Sequence, residues 1–323
     1  MTGVFFVFYG WVVFSATRAD LPDQKKPLKF YSNQSRQDIK LTYLQALNKA
    51  RHSIHLSIYG ITDPQILDMI SKKSRNNLSI SIDYDPSASS PLKKWLPPSI
   101  QLSPIKSSGL MHLKILLIDH AEVYLGSANL TSSSLRHHAN LVAGFFHPGL
   151  AAFLENPGST SYFFEIQGQQ GEVYLFPDPL KKGVFRLIQA IEKAQNKINV
   201  AMFTLTHPEI AEALVRAKKR NVKVTIALDA YTARGASKKT VEALEKEGVN
   251  FLLSQGRELL HHKWALIDDR ELAMGSANWT KAAFNKNSDF LFFLSPLGKR
   301  EKKILDNLWK TIESECIEYK NSS

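Results

Sequence analysis

The chain has 323 residues, enough for one large bilobal domain or two domains of ordinary size. With 44% hydrophobic and 22% charged residues, its composition excludes a disordered chain or a fibre. A net charge of +11 favours polyanions (nucleic acid, anionic lipid headgroups or phosphate-bearing substrates), and the single Cys316 excludes an internal disulfide.

Val4 to Phe14 is almost wholly apolar, and Ser15-Ala16-Thr17-Arg18-Ala19-Asp20 follows with small residues. A bilayer span needs about 20 apolar residues, so this stretch reads as a signal-peptide core over 1–19, cleaved after Ala19. Bacterial-type export is therefore expected. An uncleaved membrane anchor or a buried N-terminal element are the alternatives, because no positive side chain precedes the core.

The rest of the chain repeats. A shift of 144 residues carries Leu44-Gln45-Ala46-Leu47-Asn48-Lys49-Ala50 onto Ile188-Gln189-Ala190-Ile191-Glu192-Lys193-Ala194. The same shift carries Ile54–Tyr59 onto Ile198–Phe203, Asp63-Pro64 onto His207-Pro208, and Leu78–Asp85 onto Val222–Asp229, without a gap. Helical spacing from Leu41 to Ala50 and from Phe185 to Ala194 precedes an alternating strand in each unit. The proline after Asp63 or His207 suits the first turn of a second helix, and a strand follows to Asp85 or Asp229. Strands alternating with helices predict an α/β fold. The expected layout is a first lobe over 28–147, a Gly/Pro/Ser-containing linker over 148–177, and a second lobe over 178–320.

Beyond the second strand both units meet again. His112-Leu113-Lys114 is followed by an apolar run to Asp119, six residues, and Gly126-Ser127-Ala128-Asn129. His261-His262-Lys263 is followed at identical spacings by Asp268 and Gly275-Ser276-Ala277-Asn278. Residues i and i+2 of a strand share a face, so each histidine projects with its lysine. A hairpin turning at Asp119 or Asp268 would return Ser127 and Asn129, or Ser276 and Asn278, beside them. The two aspartates, at the turns, would stand too far off to touch substrate and read as structural. Lysine supplies charge, serine and asparagine directed donors, and imidazole a nucleophile or acid, a set that suits a phosphoryl group. No metal-ligand spacing is present; His137-His138 and His261-His262 are adjacent pairs without a third ligand.

The paired pattern resembles the phospholipase D superfamily, whose signature is His-x-Lys, four residues, Asp, six residues, Gly-Ser-x-Asn. The likeness runs from about residue 30 to 320. It implies two pseudo-symmetric α/β/α sandwich lobes with the active site at their interface, and catalysis without metal or other cofactor through a covalent phosphohistidine. It also implies that an acidic residue after Gly-Ser-x-Asn holds the imidazole of the same motif. Asp289 lies 28 residues after His261, whereas Asn140 lies 28 residues after His112. A carboxylate favours imidazolium and an amide does not. On that basis His112 is the expected nucleophile, beside Asn140, and His261 the general acid and then base, beside Asp289.

The expected activity is that of a phosphoric diester hydrolase of phospholipase D type, cutting glycerophospholipids to phosphatidic acid at a membrane surface. Endonucleolytic cleavage of DNA or RNA, or phosphatidyl transfer of the cardiolipin synthase kind, are the alternatives. One chain holds both halves, so a monomer is expected to suffice.

Overall fold

The computed structural model describes residues 19–319 apart from positions 36, 90, 107, 256 and 257. The expected signal segment thus lies, except for Ala19, outside the described residues. No described helix is long and apolar enough to cross a membrane.

The first lobe runs β1 (Leu28–Tyr31), α1 (Ile39–Lys49), β2 (Ser53–Ile58), α2 (Pro64–Ser74), β3 (Ser79–Tyr84), α3 (Leu92–Trp95) and β4 (Gln101–Pro104). It continues through β5 (Lys114–Ile118), β6 (Glu122–Gly126), α4 (Ser132–Arg136), β7 (Val142–Phe146) and α5 (Pro148–Glu155). Its seven strands form one sheet in the order β1-β7-β6-β5-β2-β3-β4, parallel across β2, β3 and β4 and antiparallel elsewhere.

After β8 (Ser161–Ile166) and β9 (Gln169–Phe176) the second lobe repeats the pattern. It runs α6 (Lys182–Lys193), β10 (Lys197–Met202), α7 (Pro208–Lys219), β11 (Lys223–Leu228), α8 (Ala230–Arg234), α9 (Lys238–Lys246) and β12 (Asn250–Ser254). Then come β13 (Lys263–Ile267), β14 (Glu271–Gly275), α10 (Lys281–Asn285), β15 (Asp289–Ser295), α11 (Lys299–Glu315) and β16 (Cys316–Glu318). The nine strands of this sheet lie in the order β16-β12-β11-β10-β13-β14-β15-β9-β8.

The mixed α/β class and the two-lobed plan expected of the repeat are what is observed. Asp63 caps α2 by accepting from Gln65 and Ile66, with Pro64 in the first turn, as the Asp-Pro pair leads one to expect. The β5–β6 and β13–β14 hairpins turn through Asp119-His120 and Asp268-Asp269, all at positive φ, and each turn is closed by the Ala121 or Arg270 N–H donating to the Ile118 or Ile267 carbonyl. The stretch 148–177 differs from expectation. Instead of a linker it forms α5 and the β8–β9 hairpin, and β9 pairs with β15 along Asp289–Ser295, extending the second sheet.

Each sheet has an outer and an inner face. On the outer faces α1 and α2 cover Ile54, Leu56 and Ile82, and α6 and α7 cover Ile198, Val200 and Ile226. The inner faces pack on each other: Ile115, Leu117, Leu125 and Phe145 share one core with Trp264, Leu266, Phe290 and Phe292. Phe145 and Phe292 meet edge to face, with centroids 5.2 Å apart. Burying two apolar faces against each other fixes the lobes in register, and that registration assembles the site.

Candidate active site

β2, β3, β10 and β11 all end at one end of the molecule, and the two histidine motifs stand there. Each is carried on the segment that enters β5 or β13. Asp85 and Asp229, at the ends of β3 and β11, hold these segments: their carboxylates accept from the backbone N–H of Met111 and Leu260, the residues preceding each histidine.

The lobes interlock through short parallel bridges, Met111 with Ser288 and Leu260 with Ala139. The His112 N–H donates to the Ser288 carbonyl (2.8 Å), and the Ala139 N–H to the Leu259 carbonyl (2.9 Å). This crossing overturns the expected pairing within each motif. His112 Nδ1 lies 2.7 Å from Asp289 Oδ1, and His261 Nδ1 lies 3.1 Å from Asn140 Oδ1. Each histidine is oriented by the other lobe, because its partner residue directly follows the residue that bridges the interface, Ser288 or Ala139.

The tautomers follow from the partners. A carboxylate only accepts, so His112 carries its proton on Nδ1. Asn140 donates its Nδ2 to the carbonyls of Ser134 (2.9 Å) and His138 (3.1 Å), which turns Oδ1 toward His261 as an acceptor. Nε2 of each ring is thereby left for chemistry.

Ser127 and Ser276 brace these partners. Ser127 Oγ donates to Asn140 Oδ1 (2.8 Å) and Ser276 Oγ to Asp289 Oδ1 (2.7 Å), while they accept from the N–H of Leu141 and Phe290 respectively. They were expected as phosphate donors; their hydroxyls are used internally. Asn129 and Asn278 differ, since the Oδ1 of each is buried and has no hydrogen-bond partner among the described residues. A buried amide oxygen left unpaired in both lobes fits a polar ligand group that completes it.

Lys114 and Lys263 are 1% exposed, and their Nζ atoms donate to the carbonyls of His112 (2.6 Å) and His261 (3.0 Å). Asp119 and Asp268 lie at the other end of their strands. Asp119 accepts from the backbone of Arg51, His52 and Ser53, and Asp268 from Gln195, Asn196 and Lys197, tying each helix–strand loop to its hairpin. Among the described residues no three His, Cys, Asp or Glu side chains come together to hold a metal ion.

The profile described as "Cardiolipin synthase, PLD-like domain" matches residues 43–156 and again 187–313. The chain belongs to the phospholipase D superfamily. It is similar to the mitochondrial cardiolipin hydrolase of Xenopus laevis, with 30% identity over 39% of this chain and 60% of that protein. It is also similar to a phospholipase D of Rickettsia typhi, with 29% identity over 32% of this chain and 50% of that protein. The chain thus spans no more than about three fifths of the curated relatives it matches here. Among solved structures, the phosphatidylserine synthase of Haemophilus influenzae superposes over 93% of this chain and 89% of its own, with a TM-score of 0.75 at 12% identity. That likeness concerns the fold.

The electrostatics of this phospholipase D-type site are set by burial and by the two lysines. Burial, then Lys114, pushes the His112 imidazole below its usual pKa, and Asp289 pulls it back up. Burial, then Lys263 and Lys114, pushes His261 well below it, with no carboxylate in contact to oppose them. Burial also pushes the Lys114 ammonium down to about 7 and holds Lys263 well below its usual value. Two buried cations with few counter-charges form a site that an anionic phosphodiester would neutralise.

Four residues went unrecognised as parts of the site. Tyr59 packs against His112 (centroids 5.2 Å apart) and lies under Lys114 Nζ at 5.2 Å. Phe203 does the same for His261 (5.0 Å) and Lys263 (5.1 Å). With Asp85 and Asp229 they fall on equivalent positions of the 144-residue repeat, so the repeat already contained the signal.

Proposed function

We propose that the chain is a phospholipase D that hydrolyses glycerophospholipids to phosphatidic acid and a free headgroup alcohol. The observation that carries the reading is the crossed pair His112–Asp289 and His261–Asn140, each ring with a free Nε2 beside a buried lysine. The names borne by the curated relatives, cardiolipin hydrolase and phospholipase D, favour a lipid phosphodiester.

The division of labour rests on a different argument from the one based on pairing within a motif. Attack by Nε2 on phosphorus leaves a positive phosphoimidazolium, and a carboxylate at Nδ1 stabilises that charge as it forms. Asp289 gives His112 this partner, so His112 is the nucleophile. Its Nε2–P bond forms as the bond from phosphorus to the headgroup oxygen breaks. The His261 imidazolium, with an amide partner and a depressed pKa, is the stronger acid and delivers a proton to that oxygen. Neutral His261 then takes a proton from water, whose oxygen attacks phosphorus and releases His112. Lys114 and Lys263, with Asn129 and Asn278, bind the phosphoryl oxygens throughout. Both histidines come from one chain, so a monomer suffices.

The test offers the purified chain labelled phospholipid vesicles and, separately, single-stranded DNA, followed by acid quench and mapping of the phosphorylated residue. Phosphatidic acid as product, with label on His112, is expected. Cleavage of DNA alone would overturn the substrate, and label on His261 would overturn the roles.

A further inference from the structure

Three protruding apolar side chains on the catalytic end of the molecule each stand beside an exposed cation. Leu110, 41% exposed, belongs to the strut between the lobes, where its carbonyl accepts from the Ser288 N–H. The neighbouring Gly109 lies so close to the Lys286 carbonyl that an added Cβ would stand 2.4 Å from it, which places exposed Lys286 beside Leu110. Leu180, 66% exposed, and exposed Lys181 lead into the first turn of α6. That turn sits at the catalytic end because α6 descends to enter β10 from the far end. Tyr231, 82% exposed, follows Asp229 on α8, one turn before exposed Arg234.

Some exposed cations are tied up in ion pairs and others are not. On the helices and the far end, Arg216 and Arg220 pair with Glu192, Lys197 and Lys302 with Asp269, and Lys49 with Glu122. Among the described residues Lys181, Arg234 and Lys286 make no ion pair. Several acids of this end (Asp85, Asp229 and Asp289) are buried and bonded internally.

We propose that the catalytic end is a docking surface for an anionic lipid bilayer, with Lys181, Arg234 and Lys286 meeting headgroup phosphates and Leu110, Leu180 and Tyr231 entering the headgroup layer. An apolar tip flanked by a cation is the arrangement an anionic interface recognises, because it takes up both parts at once. A single-stranded nucleic acid would use the cations and stack on Tyr231. It has no use for two exposed leucines, since bases stack on flat rings. The docking surface rests on the phospholipid reading of the site and would present the two histidines to substrate within the membrane.

The test uses the full chain carrying His112→Ala, so that lipid is not consumed, in co-sedimentation with vesicles of phosphatidylcholine alone or mixed with phosphatidylglycerol. Binding should be about tenfold tighter to the anionic vesicles and should weaken in high salt. The pairs Leu180→Ser/Tyr231→Ser and Lys181→Glu/Lys286→Glu should each lose about tenfold in that binding. With His112 restored, both pairs should still turn over soluble bis(4-nitrophenyl) phosphate at the parental rate, which checks folding. Equal binding to both vesicle types, or unchanged binding in both pairs, overturns the proposal. So does loss of single-stranded DNA binding in the pairs while vesicle binding is untouched. Cleavage of a monomeric short-chain phospholipid separates the two ideas. Cleavage without vesicle docking removes the surface and leaves the activity; docking without cleavage does the reverse.

Discussion

Replacing Asp289 by asparagine removes one charge from the crossed pair while keeping the side chain's shape. The carboxylate is 0% exposed, 2.7 Å from His112 Nδ1, and also accepts from Ser276 Oγ and from Asn287 Nδ2 at 3.3 Å. When His112 is phosphorylated its ring becomes cationic, with charge centres about 4 Å apart; at an effective dielectric of about 20 the attraction is about 4 kcal/mol. Asparagine can keep the hydrogen bond, worth about 1 kcal/mol, so about 3 kcal/mol of transition-state stabilisation should go. That corresponds to a fall of roughly a hundredfold in the rate of phosphohistidine formation. Asparagine would also set its Nδ2 against the donor of Asn287, so the measured loss should not be smaller. The assay is rapid acid quench on a labelled phosphodiester, following enzyme-bound phosphate and released alcohol separately. A loss below about tenfold in the covalent step would refute the assignment of charge stabilisation to Asp289.

Three further outcomes follow. Both imidazoles have depressed pKa values, and a depressed group loses its proton as pH rises through its folded value. With Lys114 also held near about 7, kcat/KM should fall by about tenfold or more between pH 6 and 8.5, and an optimum above pH 8 would contradict this. Asp119→Ala should leave the activity of the folded chain within about twofold but lower its urea midpoint. It strips an acceptor from the N–H groups of Arg51, His52 and Ser53, at a cost of about 2–4 kcal/mol. His262 is buried with Nε2 2.6 Å from Gln34 Oε1, and burial holds its pKa down at about 3. The unfolded chain therefore takes the proton first, and stability that is complete above pH 6.5 is lost as pH falls from there toward about 3. At pH 5 the loss is about 2 kcal/mol, read as a shift in urea midpoint that His262→Asn should reduce.

Much of the scaffold was legible because it is periodic and local. The 144-residue shift, the Asp63-Pro64 and His207-Pro208 helix starts, and the two hairpins each depend on residues close in sequence. The partners of the histidines were not legible. Asn140 and Asp289 sit 28 residues after their own motif histidines, and that distance carries no information about which side of the interface each side chain reaches. The answer depends on Met111 pairing with Ser288 and Leu260 with Ala139, contacts made only when the two inner sheet faces close. The stretch 148–177 was obscured differently. Its Gly, Pro and Ser residues resemble a linker, yet Phe164 and Ile166 are buried with Val173 on the hairpin. Gln167 and Gly168, both at positive φ, form its two-residue turn.

The crossing has a consequence for how the activity depends on stability. If each histidine were held by its own lobe, two loosely docked lobes would still carry two competent imidazoles. Here the tautomer of His112 is set by Asp289 of the second lobe and that of His261 by Asn140 of the first. Any opening of the core shared by Phe145 and Phe292 removes both orienting bonds together and leaves each ring free to hold its proton on either nitrogen. Bracing runs the same way, from Ser127 and Ser276 through Asn140 and Asp289 to the opposite histidine. A cavity cut into the inter-sheet core, far from any reacting atom, therefore acts on both catalytic groups at once. Phe292→Ala, on the inner face of β15, should lower kcat more than KM for a soluble phosphodiester, since orientation is lost before binding. A cavity of the same kind in the outer-face core, such as Leu187→Ala on α6, should lower stability and leave kcat of the folded chain near its parental value. Equal effects of the two on kcat would mean that the histidines are held within their own lobes after all.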